Sequence, residues 1–432
     1  TVTQTLTLLG IPVEFLLFAC TLLGVALFHA HTLKVALIGL AVITSYKLAY
    51  VGFHHGAGLA GLASHLGHEW VLLANLMMLL VGFAVLARFF DASRVPEMLP
   101  RFLPDDWRGA FMLLVLIFVL SSFLDNIAAA IIGGTVAASV FKGRVHIGYL
   151  AAIVAASNAG GSGSVVGDTT TTMMWIGGVD PLDVVHAYVA AVVALVVCGI
   201  PAALQQHRHQ PITADVAPGV RIDWVRVGIV AFILASAIAA NVYVNLRHAA
   251  LADSFPFIGV AVFGAILLSS LLRRPDWAVV PEAAKGALFL LSLVLCASMM
   301  PVEHLPVASW QTALGLGFVS SVFDNIPLTK LALEQGGYDW GFLAFAVGYG
   351  GSMLWFGSSA GIALSNQFPQ ARSVGAWLRH GWHVALGYVV GFSVMLLVLG
   401  WHPHEPQRRG DAAAPAVVAA PSIDAARMPA GA

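Results

Sequence analysis

The sequence predicts an all-α polytopic membrane protein of two inverted repeats, each with a re-entrant hairpin and a broken transmembrane helix. Three observations carry this. The first is composition. Charged residues make up 10% of the 432 residues, against about 25% in ordinary soluble domains. Hydrophobic residues make up 59%, and mean hydropathy is +0.86. With 21 basic and 22 acidic residues, the chain could not cover a water-facing surface. The second is that spanning-length apolar runs alternate with runs interrupted by Gly, Ser and Asp. The third is that the chain repeats itself once around those interruptions. Composition also narrows function. A formal net charge of -1 points to no nucleic-acid partner. Cys20, Cys198 and Cys296 lie inside apolar runs, with neither a disulfide framework nor metal-ligand spacing. No Walker-type Gly-rich Lys-Ser/Thr loop is present, which argues against an ATP-driven pump.

A crossing helix needs about 20 mostly apolar residues. Full spans are expected near 8–28, 35–53, 70–87, 184–203, 223–244, 257–272, 282–300 and 380–400, the 257–272 run being short and suited to a thin or locally shielded crossing. The first run has no convincing small-residue cleavage site after it and is expected to be a retained helix. Crossings near 145–176 and 341–366 are interrupted by Gly and Ser, and the stretches 109–141 and 307–335 have polar middles. A single helix over 109–141 would be about 50 Å long, too long for one crossing. Arg108 precedes it, and Lys142 and Arg144 follow, so a hairpin with both ends on one side fits better. Non-helical backbone at membrane depth survives only inside protein or along a wet cavity. The tip Asp125-Asn126 should therefore face such a cavity. With the loop 88–108 placed inside, 15 of the 21 basic residues fall inside, as the positive-inside rule expects. The expected organisation is a first repeat over 1–204, a cytoplasmic linker over 205–222, a second repeat over 223–400 and a disordered tail over 401–432. The expected location is a multi-pass position in the cell (inner) membrane, with the lipid bilayer as partner.

Ser121-Ser122-Phe123-Leu124-Asp125-Asn126-Ile127 matches Ser320-Ser321-Val322-Phe323-Asp324-Asn325-Ile326 at five of seven positions. Downstream, Gly160-Gly161-Ser162 matches Gly350-Gly351-Ser352, and Gly167 matches Gly357 at the same spacing. Each half holds five crossings, an odd number, so the second half must be inverted. Inverted halves with helices interrupted in matching places are a secondary-transporter signature, with the site near the midplane.

An ionisable residue at membrane depth costs about 2.5–3.5 kcal/mol on insertion scales. Two acids at equivalent depths with matching neighbours therefore point to function. Asp125, Asn126, Asp324 and Asn325 can supply hard oxygen ligands for a small cation, beside freed backbone carbonyls. The simpler reading is turn chemistry, which Asp and Asn favour. The first broken span runs from Ser157 and Asn158 through the glycines to Asp168 and the threonines 169–172. Asp168 would cap the second half-helix and face the same cavity, with Thr169 and Thr170 capping beside it. The second half has Ser358 and Ser359 where the first has Asp168 and Thr169. The first half should therefore hold the stronger cation site. Asn158, Ser162 and Ser352 are candidate ligands or hairpin locks.

Lys330, equivalent to Ile131, could reach across to an Asp such as Asp324 and replace a cation, or it could snorkel. Lys47 is expected to snorkel, and Glu14 to lie near an interface. His54, His55, His65 and His68 are expected in a solvated outside loop.

At these motifs the chain resembles the ion transporter superfamily of secondary carriers, and within it the NhaD-type sodium/proton antiporters. The two Asp-Asn-Ile tips and the run SNAGGSGSVVGDTTTTMMW, Ser157 to Trp175, carry the resemblance. Dicarboxylate and citrate carriers of the superfamily have Ser-Asn-Thr at the tips, which this chain lacks. The resemblance implies exchange of Na+ or Li+ for H+, no cofactor, no enzymatic activity and a homodimer. A carboxylate can hold Na+ or H+, so competition at one site couples the two without a separate proton relay. Asp125, Asp168 and Asp324 are the expected Na+ ligands. A cation-coupled symporter of a citrate-like or other anion is the alternative. No Arg lies near either break, which argues against a dianionic substrate.

Overall fold

The computed structural model describes residues 7–8, 10–28, 31–53, 56–98, 103–212, 221–247 and 254–404. Among these residues the regular elements are helices, apart from a two-residue β ladder, Thr7–Leu8 with Ile11–Pro12, and an isolated bridge between Phe53 and Gly56. Five stretches are long and apolar enough to cross a membrane: Thr32–Val51, Gly58–Ala92, Pro181–His209, Trp277–Ser298 and Trp382–Leu399. Many large apolar side chains, such as Leu27, Ile38, Leu271 and Leu397, are exposed. So many exposed large apolar side chains suit a lipid-facing surface.

α1 (Val13–Leu27) packs on α2 (Thr32–Tyr46), and α3 (Gly58–Ala92) follows. The short α4 (Val95–Met98) follows. Next come α5 (Trp107–Ser121) and α6 (Asn126–Val140), which pack on each other, then α7 (Ile147–Ser162) and α8 (Thr169–Ile176). The turn α9 (Pro181–Val185) leads into α10 (Ala187–His209). Then α11 (Trp224–Arg247) and α12 (Phe257–Ser269) pack on α3, and α13 (Val280–Ser298) packs against both α2 and α3. The remaining helices are α14 (Trp310–Ser320), α15 (Asn325–Gln335), α16 (Trp340–Gly350), α17 (Ser359–Gln367), α18 (Val374–His380) and α19 (Trp382–Leu399).

The polar middles of 109–141 and 307–335 are thus helix–turn–helix units, and the Gly-rich crossings break as expected. α7 and α16 lie at the centre, with every residue of α16 and every residue of α7 after Ile147 buried. α7 reaches that position through Ala, Gly and Ser, which let neighbouring helices approach closely. α16 instead fills space with rings: Phe345 stacks on Tyr349 and Tyr388, and Phe342 meets Phe392 edge-on. α10 and α19 pack together behind this centre.

Several expectations need correction. The 8–28 run is not a full span. A turn at Gly10, with φ +80°, leaves 15 residues for α1. α12, at 13 residues, is about 20 Å long, short as the 257–272 run itself is. α3 starts at Gly58, so His65 is no loop residue. It is buried and pairs through Nε2 with the Ser298 hydroxyl at 3.0 Å. His54 and His55 lie outside the described residues. Lys47 does not snorkel, because its ammonium donates to the Met299 carbonyl at 2.8 Å within the protein. Glu14 is fully buried. The linker is helical through His209, because α10 continues past the membrane-length run, and residues 213–220 lie outside the described set. The tail begins later than 401. The His402 amide donates to Asp339, and the Trp340 indole donates to the His404 carbonyl. Residues 405–432 lie outside the described set. On the surface before α11, a hydrogen bond from Arg273 holds the Asp223 carboxyl below its ordinary range.

Candidate functional site

The two hairpin tips have nearly the same backbone. Asp125 caps α6 at φ -51°, ψ 139°, and Asp324 caps α15 at φ -54°, ψ 140°. One oxygen of each carboxylate accepts from an amide two residues on: Ile127 to Asp125 Oδ2 at 3.2 Å, and Ile326 to Asp324 Oδ1 at 3.0 Å. Capping therefore uses one oxygen and leaves the other for further contacts. At Asp324, Oδ2 accepts from the Ser359 hydroxyl at 3.3 Å. The serines before the tips anchor them. Ser121 Oγ donates to the Ser157 carbonyl at 2.6 Å, and Ser320 Oγ donates to the Val347 carbonyl at 2.7 Å.

The broken helices lie against these tips. A Cβ on Gly160 would collide with the Phe118 carbonyl, and one on Gly350 with the Gly317 carbonyl. Only glycine permits this approach. After α7, the freed carbonyls of Ser164 and Val165 accept from the hydroxyls of Thr171 (2.6 Å) and Thr172 (2.9 Å). The threonine run therefore does more than cap. It satisfies the acceptors that the break releases, which would otherwise be costly at this depth. Asp168 caps α8 by accepting from the Thr170 amide at 3.2 Å. Its second oxygen, Oδ2, and the Thr170 hydroxyl are buried and find no hydrogen-bond partner. In the second half, Ser358 caps α17 by accepting from the Gly361 amide at 3.3 Å.

Asn158 joins the halves. Its carbonyl oxygen accepts from Asn126 Nδ2 at 3.0 Å. Its own Nδ2 donates to Ser352 Oγ at 2.9 Å and Ser358 Oγ at 3.1 Å. The repeat equivalent of Asn158 is Gly348. A Cβ there would lie 3.3 Å from Asp168 Oδ2 and 3.3 Å from Ser162 Cβ. Positions 158 and 348 thus face equivalent residues, 352 and 358 in one case, 162 and 168 in the other. Asn325 is buried like Asn126, but its half has glycine at the Asn158 position. Ser162 Oγ is turned onto its own helix, donating to the Ala159 carbonyl at 2.8 Å.

Two voids meet Asp125. The smaller, about 10 Å³, is lined by Asp125, Asp168, Thr169, Thr172 and Val166, and by Leu76, Leu79, Leu80 and Phe83 of α3. That is about the volume one water occupies by this measure. The larger, about 430 Å³, runs between α3, α6, α13 and α17. Its walls are mostly apolar, with Asp125 and Ser359 lining it together with Arg88, Asp91 and Glu282. Arg88 is already engaged with Asp91 and Asp276, at 3.9 Å each. Among the described residues, no three His, Cys, Asp or Glu stand close enough to hold a metal ion together. Asp125 and Asp168 share the small pocket, whereas Asp324 is turned to Ser359.

Lys330 does not pair with Asp324, nor does it snorkel. It lies six residues along the helix that Asp324 caps, and its ammonium contacts Glu69 of α3 at 3.0 Å and Glu334 at 2.6 Å. Sequence reading missed Glu69, Ser359 as a partner of Asp324, and Gly348. A signal for Glu69 existed, as a lone acid at the edge of an apolar run while a buried lysine elsewhere lacked a counter-charge.

No protein-family model matches the chain. Curated relatives do match. The chain is 25% identical over 437 aligned residues to the Na+/H+ antiporter NhaD of Halomonas elongata, covering 86% of this chain and 84% of that protein. It is 27% identical over 390 residues to the Na+/H+ antiporter NhaD of Alkalimonas amylolytica, covering 76% and 78%. Sodium/proton antiporter 1 of Arabidopsis thaliana is 26% identical over 333 residues, covering 66% of this chain and 54% of that protein. The chain thus spans about half the length of that plant relative. The similarity to NhaD-type sodium/proton antiporters extends along most of the chain, which is a multi-pass membrane protein.

Proposed function

From this similarity, we propose that the chain exchanges Na+ or Li+ for H+ by competition at membrane-buried aspartates. The observation that carries the reading is the pocket of about 10 Å³ shared by Asp125 and Asp168. It has room for one water-sized occupant, such as a dehydrated small cation. Its donors are hard oxygens, as an alkali ion requires. Of the lining residues, Asp168 has a buried Oδ2 with no hydrogen-bond partner. An uncompensated buried polar atom costs about 1–3 kcal/mol, so a cation there would be favoured. A proton on either carboxylate removes the charge that holds the cation. Protons and Na+ then exclude each other, and exchange follows if the loaded or protonated site is what moves. Asp324, held by Ser359, is the third carboxylate of the scheme. Asn126, Asn158, Ser352 and Ser358 form the frame that keeps the two breaks together. No cofactor takes part.

The reading extends to architecture. The two hairpins enter the membrane and return on the same side, and repeats 1–204 and 223–400 are inverted. The larger cavity then leads from the side of loop 88–108, the cytoplasm, to Asp125. An anion-coupled alternative gains no support, since among the described residues the only basic side chain on that cavity is Arg88, already paired with two carboxylates.

Purified protein in liposomes, with a pH-sensitive dye inside, tests this. Added Na+ should drive proton movement in the opposite direction. Acidifying both sides should raise the Na+ concentration for half-maximal exchange without changing the maximal rate, as competition requires. Uptake of labelled citrate without Na+-driven proton movement would replace this reading with the symporter.

A further inference from the structure

α3 and α13 run antiparallel, and their two ends differ. At one end, Arg88 meets Asp276, and the cavity of about 430 Å³ opens between residues 80–91 and 279–290. At the other end, the space is filled. His65 bonds Ser298, Lys47 bonds the Met299 carbonyl, and Phe53, Leu293, Met300 and Leu331 pack into one apolar cluster. Within that filled end lies Lys330, 6% exposed, between Glu69, 4% exposed, and Glu334. Leu76 to Phe83, which wall the small pocket, lie on α3 between Glu69 and Arg88. The pocket therefore adjoins the cavity toward one end of α3, sharing Leu80, Phe83 and Asp125 with it, and meets filled space toward the other.

Resting on the exchange reading above, we propose that Glu69 and Lys330 form the gate closing the cation site on the side opposite the cavity, and that they part when the site turns to that side. A buried ion pair is a poor device for stability alone, because desolvation offsets much of its attraction. It is well suited to a gate. Closed, the charges satisfy each other in a dry setting. Opened, water reaches both. The half-open dry state, with separated and unhydrated charges, is the costly one. The pair thus favours two end states over the leak between them. Glu334 sits one turn beyond Lys330 on the same helix, and its side chain is a third exposed. It travels with Lys330 and keeps it paired when Glu69 is left behind. Since Asp324 caps this helix, moving Lys330 moves Asp324 with it. That ties the gate to the site. Glu69 and Lys330 act here as positioning residues and touch no transported ion.

The test starts from a chain with Cys20, Cys198 and Cys296 replaced by alanine. Glu69→Cys with Lys330→Cys is bridged by a short bifunctional methanethiosulfonate, which a reductant reverses. Bridging is expected to lower Na+/H+ exchange roughly tenfold or more, and reduction to restore it. Exchange by the bridged protein at the unbridged rate would overturn the gate. A second measurement does not depend on transport. Leu76→Cys is labelled with an impermeant thiol reagent applied from the Glu334 side. Adding Glu69→Gln should raise that labelling rate roughly fivefold or more by shifting the population toward the open form, and Glu69→Asp should return it to the parental value. An unchanged rate with Glu69→Gln also overturns the proposal. If the parent moves no protons on Na+ addition, the exchange reading fails, and the labelling still decides the gate.

Discussion

The first and second halves share a skeleton and differ in chemistry. Their tips agree within a few degrees in φ and ψ, and their anchoring serines donate to equivalent carbonyls. The breaks diverge. The first presents Asn158 and Asp168, and the second presents Gly348 and Ser358 at the same places. What is duplicated is the means of turning a chain inside a membrane: a capping acid, an anchoring serine and a glycine where backbones touch. What is not duplicated is the second carboxylate and the bridging amide. The small pocket lies against Asp125 and Asp168, in the half that has both.

The largest test of this difference compares carboxylates. Asp168→Asn and Asp125→Asn should each lower Na+-driven proton flux in liposomes about 100-fold, since a lost charged ligand costs about 3 kcal/mol. Asp324→Asn should cost less, about tenfold, because it lies off the pocket and keeps a capping role that asparagine can fill. Each variant should still insert and purify as a single species. Equal losses at Asp168 and Asp324 would erase the functional asymmetry.

Next is the pair of positions 158 and 348. Asn158→Ala leaves Asn126, Ser352 and Ser358 short of partners at a fully buried point. The expected cost is about 3 kcal/mol or more, read as a lowered thermal midpoint in detergent together with lost exchange. Gly348→Ala should leave the midpoint nearly unchanged. Its Cβ would crowd Asp168 Oδ2 at 3.3 Å and raise the Na+ concentration for half-maximal exchange severalfold. A stability loss at 348 as large as that at 158 would mean that both positions serve packing alone.

The asymmetry was half legible in the sequence. The tips, the breaks and the Asp168/Ser358 difference stand out because polar residues in apolar runs are conspicuous and repeat at fixed spacing. Helix positions followed from the same contrast, so the interrupted runs broke where expected. Partners across the fold were hidden. Asn158 bonds residues 194 and 200 positions away, and no periodicity encodes that. Lys330 illustrates the limit. Its neighbours in sequence suggested Asp324, but a lysine on the helix that Asp324 caps points along that helix and found Glu69 on α3 instead. Lys47 was misread for a related reason. Snorkelling is the rule for a lysine facing lipid, and the packing of α2 against α13 turned this one inward.

The smallest expected effect falls on the hydroxyl that only the second tip uses as a hydrogen-bond donor. Ser359 Oγ lies 3.3 Å from Asp324 Oδ2, a long contact on a partly exposed residue that also lines the larger cavity. Its equivalent, Thr169, lines the small pocket with Asp125. In the second half the hydroxyl occupies the carboxylate oxygen. In the first half it borders the space proposed for the cation. Ser359→Ala removes one hydrogen bond to a charged group, worth about 1.5 kcal/mol or less at this length, and the cavity lets water replace it. With water in its place, exchange should therefore change by about twofold at most, and most of that in maximal rate, since Asp324 is off the pocket. Thr169→Ala acts on the pocket itself and should shift the Na+ concentration for half-maximal exchange. Measuring both parameters for both variants separates the roles. If Ser359→Ala shifts Na+ affinity as much as Thr169→Ala, Asp324 holds the transported cation as directly as Asp125 does, and the halves share one site.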